Sequence, residues 1–448
     1  LNSKEELDRP FGSGHSLGQA SVAVIGGGYA GLAAAVTLAE ADVPATVFEV
    51  MDLLGGRARK VDHRGVVLDN GLHILIGAYR ETLRLISLTT GADSPVLRFP
   101  FSWEIAEHFR MKALPFPAPL NLLCGLLLAR GATWLQKRAA ARFFLQMRAH
   151  FPAQHVSVLE LLERHNQGSE MTRFFWQPLC VAALNTPVQE ASAHLFLNVL
   201  RAILDGDRTS SDLVFASENL SSLFPERAAS LIATRGGSVH LKHRVTALRK
   251  APQGFELEST RGIDHFSHVI CALPPYAVPA LIADISELTE IRQQIERFEY
   301  QPIYSIYLQY PEATRLDIPM LGLADGPAHW VFDRGPLCGQ HGLLGAVISA
   351  RGPHEELSHE ELATQVHSQL KKTLKDLPAP RWSKVIAEKR ATIGCVAGLA
   401  RPPQKTPLKH FFLAGDYTAS DFPATIESAV QSGIKCAHLM LAELPSRA

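Results

Sequence analysis

Residues 21–50 read SVAVIGGGYAGLAAAVTLAEADVPATVFEV, and this stretch decides the fold. Residues 21–25 are a short, continuous apolar run rich in β-branched side chains, the pattern of a parallel strand buried on both faces. LAAAVTLAEA, from residue 32 on, is a strong helix former. Between them Gly26, Gly28 and Gly31 make a G-x-G-x-x-G turn. The first glycine permits the tight turn, the second lets backbone approach a pyrophosphate, and the third lets helix pack on strand. The helix N-terminus then offers free N–H groups and a partial positive charge to phosphates. A second apolar run at residues 45–50 carries Glu49 near its end. A carboxylate about 20 residues beyond the glycines accepts hydrogen bonds from ribose hydroxyls and disfavours a 2′-phosphate. Together these features predict a strand–helix–strand unit that binds a dinucleotide.

The rest of the chain bounds what that unit belongs to. A length of 448 residues suggests two domains, and 46% hydrophobic with 20% charged residues is ordinary for a globular protein with a sizeable core. Lys+Arg and Asp+Glu are both 44, so there is no basic excess and no nucleic-acid partner is expected. Cys124, Cys180, Cys271, Cys338, Cys395 and Cys436 form no CxxC or metal-ligand spacing. They read as reduced, buried thiols, and no metal site is expected. Residues 1–20 are polar, without the apolar core of a signal peptide, and are expected to be a disordered leader. No apolar run is long enough to span a bilayer, so a cytoplasmic location is expected.

Gly55, Gly56 and Arg57 follow the acidic residue within a few positions. The chain here resembles the flavin amine oxidases and carotenoid-type desaturases, which carry such a GGR element after their ribose-binding glutamate. The resemblance implies FAD as cofactor, with the Arg57 guanidinium able to reach the pyrophosphate bidentately and Arg59 as its neighbour. Near the other end, residues 410–414 (HFFLA) read as a buried strand followed by Gly415 and Asp416, and residues 422–427 (FPATIE) lead into a helix containing Ala429, Gly433 and Ala437. By resemblance Asp416 faces the ribityl or pyrophosphate part, and the helix beginning at Ile426 points its N-terminus at the flavin. Residues 239–248 read as one strand after a Gly-rich turn, and the resemblance makes Val245 the residue that lends its backbone to adenine. Residues 268–273 (HVICAL), before Pro274 and Pro275, resemble the strand that leaves the FAD domain. The expectation is therefore an α/β fold: a discontinuous Rossmann-type FAD-binding domain (21–85, 212–275 and 385–445) with an inserted α+β substrate domain (86–211 and 276–384).

Within that superfamily several stretches resemble the squalene-associated FAD enzymes, the hydroxysqualene dehydroxylases. They are residues 68–73 (LDNGLH) running to 77–80 (GAYR), 176–180 (WQPLC) with 183–187 (ALNTP), 223–225 (LFP), 330–335 (WVFDRG), and 388–392 (EKRAT) with Arg401 and Pro402. Residues 393–399 depart from the pattern, as does Ser428, where the family tends to have glycine and where a hydroxyl is expected to alter hydrogen bonding near the flavin. The resemblance implies a lipophilic isoprenoid substrate and reductive removal of an allylic hydroxyl from a C30 alcohol. Hydroxide leaves poorly and needs protonation, aromatic faces stabilise an allylic cation, and water must be excluded. Asp69, His73 and Asp333 are the candidate acids. Against these stand structural roles: a turn cap for Asp69, packing for His73 and an ion pair with Arg334 for Asp333. Trp176, Asn185 and Tyr79 are candidate pocket walls. A carotenoid-type desaturase, a flavin amine oxidase and a non-catalytic FAD-binding scaffold are the alternatives. No residue pattern names an electron donor.

A lipophilic substrate calls for access to lipid. Residues 120–129 (LNLLCGLLLA) are uncharged and are followed by Arg130, Trp134, Lys137, Arg138, Arg142 and Arg148, interleaved with Leu135, Phe143, Phe144 and Met147. That pattern suits peripheral attachment to anionic lipid at the inner face of the cytoplasmic membrane. It equally suits a helical pair buried in the substrate domain.

Overall fold

The computed structural model describes residues 20–91, 93–147 and 155–444. The expected leader, apart from residue 20, and Arg148 of the basic helix lie outside the described residues.

The opening stretch folds as its pattern predicts. Strand Val22–Ile25 is buried along its length, helix Tyr29–Glu40 follows the glycine turn, and strand Ala45–Phe48 returns parallel to the first. Helix Tyr29–Glu40 is buried almost all round because a second helix, Ile426–Leu441, crosses it closely. A Cβ at Gly433 would lie 2.1 Å from the Ala30 carbonyl oxygen, so a larger residue there would push the two helices apart.

Strands Ser238–His240, His268–Cys271 and Phe411–Leu413 complete a five-stranded parallel sheet. Its spatial order runs Ser238–His240, Ala45–Phe48, Val22–Ile25, His268–Cys271, Phe411–Leu413. Two widely separated parts of the chain thus flank the first βαβ unit. The single strand read over residues 239–248 is in fact two. Lys242 takes a left-handed φ of 52°, which ends the parallel strand, and Val245–Ala251 opens an antiparallel meander instead.

The inserts build a seven-stranded mixed sheet. Its order is Trp382–Ile393, Tyr300–Gln309, Leu343–Ser349, Trp330–Asp333, Met320–Gly322, Ser102–Ile105 and Phe109–Lys112. Gly322 pairs with Ile105, so the two inserts share one sheet. The last nucleotide-domain segment, read as starting at residue 385, opens inside this sheet, because Trp382–Ile393 pairs along most of its length with Tyr300–Gln309. A strand's own alternation does not say which sheet it joins. The fold is α/β, a parallel nucleotide sheet joined to a mixed-sheet α+β substrate half.

Candidate functional site

Two glycine turns face each other at the C-terminal end of the parallel sheet. Gly28 bridges to Gly55, and the Gly55 N–H donates to the Gly27 carbonyl at 2.9 Å. A Cβ built on Gly28 would meet only the Gly56 Cα, at 3.9 Å, and one on Gly56 would meet only the Gly28 Cα. The two turns form a groove walled by bare backbone. Gly26, at φ 117°, is locked in place: a Cβ would sit 2.5 Å from the Ala272 carbonyl oxygen. Helix Tyr29–Glu40 has no side-chain cap and no acidic residue in its first turn, so its leading N–H groups are left for an anion. Buried Glu49 accepts from the Gly27 and Met51 N–H groups at 2.7 and 2.8 Å, which fixes its carboxylate at the mouth of the groove. The His243 N–H donates to the Glu49 carbonyl, and this holds the segment leading into Val245 against the same end.

Arg57 reaches across the groove. Its guanidinium donates to Asp416 Oδ1 and to the Ala391 carbonyl, both at 2.6 Å. Burial opposes the Arg57 charge, yet the Asp416 carboxylate beside it holds the guanidinium above its ordinary value. Arg59 turns back to the Gly56 carbonyl at 2.8 Å and supports the turn. Gly415, at φ 155°, lies in a backbone region that favours glycine, and a Cβ there would also strike the Tyr417 ring at 2.4 Å. Ile426 opens helix Ile426–Leu441, whose N-cap Thr425 accepts from the Ser428 N–H. Ser428 does not disturb this end: its hydroxyl hydrogen-bonds Thr425 and completes a capping box. Glu427, fully buried, caps a neighbouring helix by accepting from the Glu81 and Thr82 N–H groups and from the Thr82 hydroxyl. Burial raises its pKa, and those donors oppose the rise.

Residues of the substrate half close the groove. The Asn70 side chain donates to the Arg57 carbonyl and to Glu388 Oε2, and the Arg390 guanidinium lies 3.6 Å from the centroid of the Tyr276 ring. Tyr276 in turn packs edge-on to Tyr300. Residues 388–392 carry no role that their own sequence announces.

Residues 29–441 match the family described as flavin containing amine oxidoreductase. The chain belongs to the flavin-containing amine oxidoreductase family. It is an FAD-dependent oxidoreductase of that family, and the groove fits the cofactor: bare-backbone walls, an uncapped helix N-terminus, Glu49, and the Arg57–Asp416 pair. Among curated relatives, the chain is 28% identical over 440 residues to the hydroxysqualene dehydroxylase of Zymomonas mobilis, covering 93% of this chain and 98% of that one. It is 30% identical over 444 residues to the hydroxysqualene dehydroxylase of Rhodopseudomonas palustris, covering 94% and 98%. A solved putrescine oxidase bound to putrescine superposes with a TM-score of 0.69 at 17% identity, covering 95% of this chain and 99% of that one, which shows the shared fold.

The structure gives the three candidate acids different surroundings. Asp69 is saturated: Oδ1 accepts from the Leu220 N–H at 2.8 Å and Oδ2 pairs with Arg334 at 2.9 Å. Asp333 caps the helix Arg334–Cys338, accepting from the Gly335 and Leu316 N–H groups at 2.9 and 2.8 Å. Arg334 therefore pairs with Asp69 and not with Asp333. Both oxygens of each carboxylate are thus already engaged as acceptors in the interior. His73 differs. It is half-buried, its ring folds against Gly71, and it lies in the field of both Asp69 and Arg57. Burial lowers its pKa, Arg57 lowers it further and Asp69 opposes.

The expected pocket walls are mostly structural. Trp176 is fully buried, its indole N–H bonded to Gln167 and its ring packed on Phe143, Phe144, Phe175 and Phe196. Asn185 is a left-handed helix cap that ties Thr392 to Ala350. Tyr79 is buried edge-on to Phe422, beside the start of the C-terminal helix.

Proposed function

We propose that this FAD-dependent oxidoreductase acts on a C30 isoprenoid alcohol and reductively removes an allylic hydroxyl, converting hydroxysqualene to squalene. The observation that carries the reading is the near end-to-end likeness to two proteins of that name, which includes both substrate-domain inserts. Bound FAD in its reduced state supplies hydride chemistry. The protein's own task is to make hydroxide leave as water. With Asp69 and Asp333 spent on structure, His73 is the group left to deliver the proton. The Tyr276 and Tyr300 rings beside the Arg57–Asp416 pair offer aromatic faces at the same junction.

The test is anaerobic turnover. The purified flavoprotein is reduced, mixed with hydroxysqualene, and followed for squalene and flavin reoxidation. Both are expected together, and the rate is expected to rise as pH falls through a pKa below the ordinary histidine value. His73→Gln is expected to lose about 10²–10⁴-fold in rate and the pH response. Substrate left untouched by the reduced enzyme would sink the reading. An oxidised enzyme that desaturates an isoprenoid, or consumes an amine with an added acceptor, would replace it.

Access to such a substrate is proposed to run through lipid, at the inner face of the cytoplasmic membrane. Among the described residues no helix is long and apolar enough to cross a membrane. Helices Leu120–Leu127 and Trp134–Met147 bury Leu122, Leu126, Phe143 and Phe144 in the core while leaving Leu120, Leu128, Trp134, Leu135 and Leu145 exposed. Leu128, Trp134 and Leu135 are 63–75% exposed, next to Arg130, Lys137 and Arg138, which suits an interfacial anchor. Co-sedimentation with anionic vesicles at low salt is the expected result, and Trp134→Asp with Leu135→Asp is expected to abolish it. No co-sedimentation at any ionic strength would remove the idea.

A further inference from the structure

At the opposite end of the parallel sheet from the cofactor groove, three residues far apart in sequence converge. His268 begins strand His268–Cys271, His410 immediately precedes strand Phe411–Leu413, and Glu443 follows helix Ile426–Leu441. One ring nitrogen of each histidine and one carboxylate oxygen of Glu443 lie within 4.8 Å of one another.

The hydrogen bonds fix where the lone pairs are. The Ser267 hydroxyl has one hydrogen, and it goes to the Ser21 carbonyl at 2.9 Å. The His268 Nδ1 contact to that same hydroxyl, at 2.8 Å, must therefore have Nδ1–H as donor. That leaves His268 Nε2 an acceptor, and it is buried without a partner, in a residue only 6% exposed. A buried acceptor without a donor is costly. His410 lies against it, with ring centroids 4.5 Å apart. His410 Nδ1 is 3.0 Å from Glu443 Oε2, so an ion seated between these two atoms and His268 Nε2 takes the place of that hydrogen bond. A histidine that ligates a metal through one nitrogen characteristically donates the N–H of the other to a fixed acceptor, as His268 does to Ser267. The remaining polar contact is Lys405 Nζ, 3.2 Å from Glu443 Oε1.

We propose that His268, His410 and Glu443 bind a divalent transition cation of the Zn²⁺ class. Two imidazoles and a carboxylate suit that class, and the partly exposed His410 and Glu443 leave room for water as a further ligand. Tetrahedral coordination at ~2.0–2.1 Å needs donors roughly 3.4 Å apart, a closing that small rotations of His410 and Glu443 supply. The bound ion ties two strands of the nucleotide sheet to the end of the helix that crosses Tyr29–Glu40. It reinforces the cofactor domain from the side the cofactor does not touch.

The test uses tag-free, FAD-loaded protein stripped with a chelator and dialysed against Zn²⁺. The expected result is one Zn²⁺ per chain by metal analysis and a melting temperature that rises with free Zn²⁺. Glu443→Gln and His410→Ala are each expected to weaken binding by roughly 10–100-fold with the flavin spectrum unchanged. Lys405→Met removes the competing cation and is expected to tighten binding. Absence of stoichiometric zinc in the unaltered protein, or zinc held equally well by both Glu443→Gln and His410→Ala, would overturn the proposal.

Discussion

Two arginine–aspartate pairs of the protein differ in how far they are exposed. Arg57 meets Asp416 at 2.6 Å with the arginine side chain 29% exposed, whereas Arg334 meets Asp69 at 2.9 Å with both side chains 5% exposed. The first pair lines an open groove, and its remaining N–H groups can turn to a phosphate. The second is closed on every side. Arg334 also stacks near the Tyr307 ring, and the Tyr307 hydroxyl donates to the Asp69 carbonyl at 2.8 Å. The same chemistry thus lines an open groove in one place and, in the other, ties the turn at Asp69 to the end of a mixed-sheet strand. Burial decides between them, since a sealed pair cannot exchange partners without stranding a charge.

The sharpest way to break this contrast is Asp69→Ala. It strands the Arg334 charge and is expected to cost about 3–5 kcal/mol of stability, read by denaturant unfolding of the FAD-loaded protein. An unchanged midpoint would mean that Asp69 is no joint. Arg57→Met is expected to act on the ligand instead. FAD affinity should fall by roughly 10- to 150-fold through lost charge-assisted hydrogen bonds, with a smaller change in the stability of the flavin-free protein than Asp69→Ala produces. Equal effects of the two substitutions on stability would erase the distinction. Gly31→Ala probes the groove's backbone wall, because the added Cβ would sit 2.0 Å from the Gly26 carbonyl oxygen. About 1–3 kcal/mol is expected to be lost, together with flavin content on purification.

The smallest expected effect carries the comparison into the mixed sheet. Burial, and then the nearby His354, push the His329 pKa down to about 4, and its Nδ1 accepts from the Ser349 N–H. A histidine depressed in the folded state binds its proton more readily when unfolded. Its stabilising contribution is therefore complete above the ordinary histidine pKa near 6.5 and is lost as pH falls toward about 4. His329→Gln should flatten the pH dependence of the unfolding free energy in that window by about one proton. An unaltered slope would show that His329 titrates normally.

The groove was legible because its parts are local. A glycine turn between strand and helix, an acidic residue at the next strand end, and a GGR turn just after it each work within a few residues. Their spacing therefore records their geometry. The surroundings of the candidate acids were not legible, for the opposite reason. Nothing near Asp69 in sequence announces Leu220 or Arg334, and nothing near Asp333 announces Leu316 as a second donor. Trp176 looked like a pocket wall because aromatic side chains serve cores and cavities alike. The four rings around it come from three stretches of the chain, at residues 143–144, 175 and 196.

By itself the sequence determined the βαβ dinucleotide unit, its glycine turns, Glu49, Arg57 and the α/β class, because hydrophobic period and backbone freedom act over a few residues. Only the tertiary structure decided that residues 382–393 join the substrate sheet, that Glu388 meets Asn70 and Arg390 meets Tyr276, that Asp69 pairs with Arg334, and that His268, His410 and Glu443 meet. Those outcomes depend on strand pairing and charge burial between distant segments, and the free energy of such contacts is set by which partners the fold brings together.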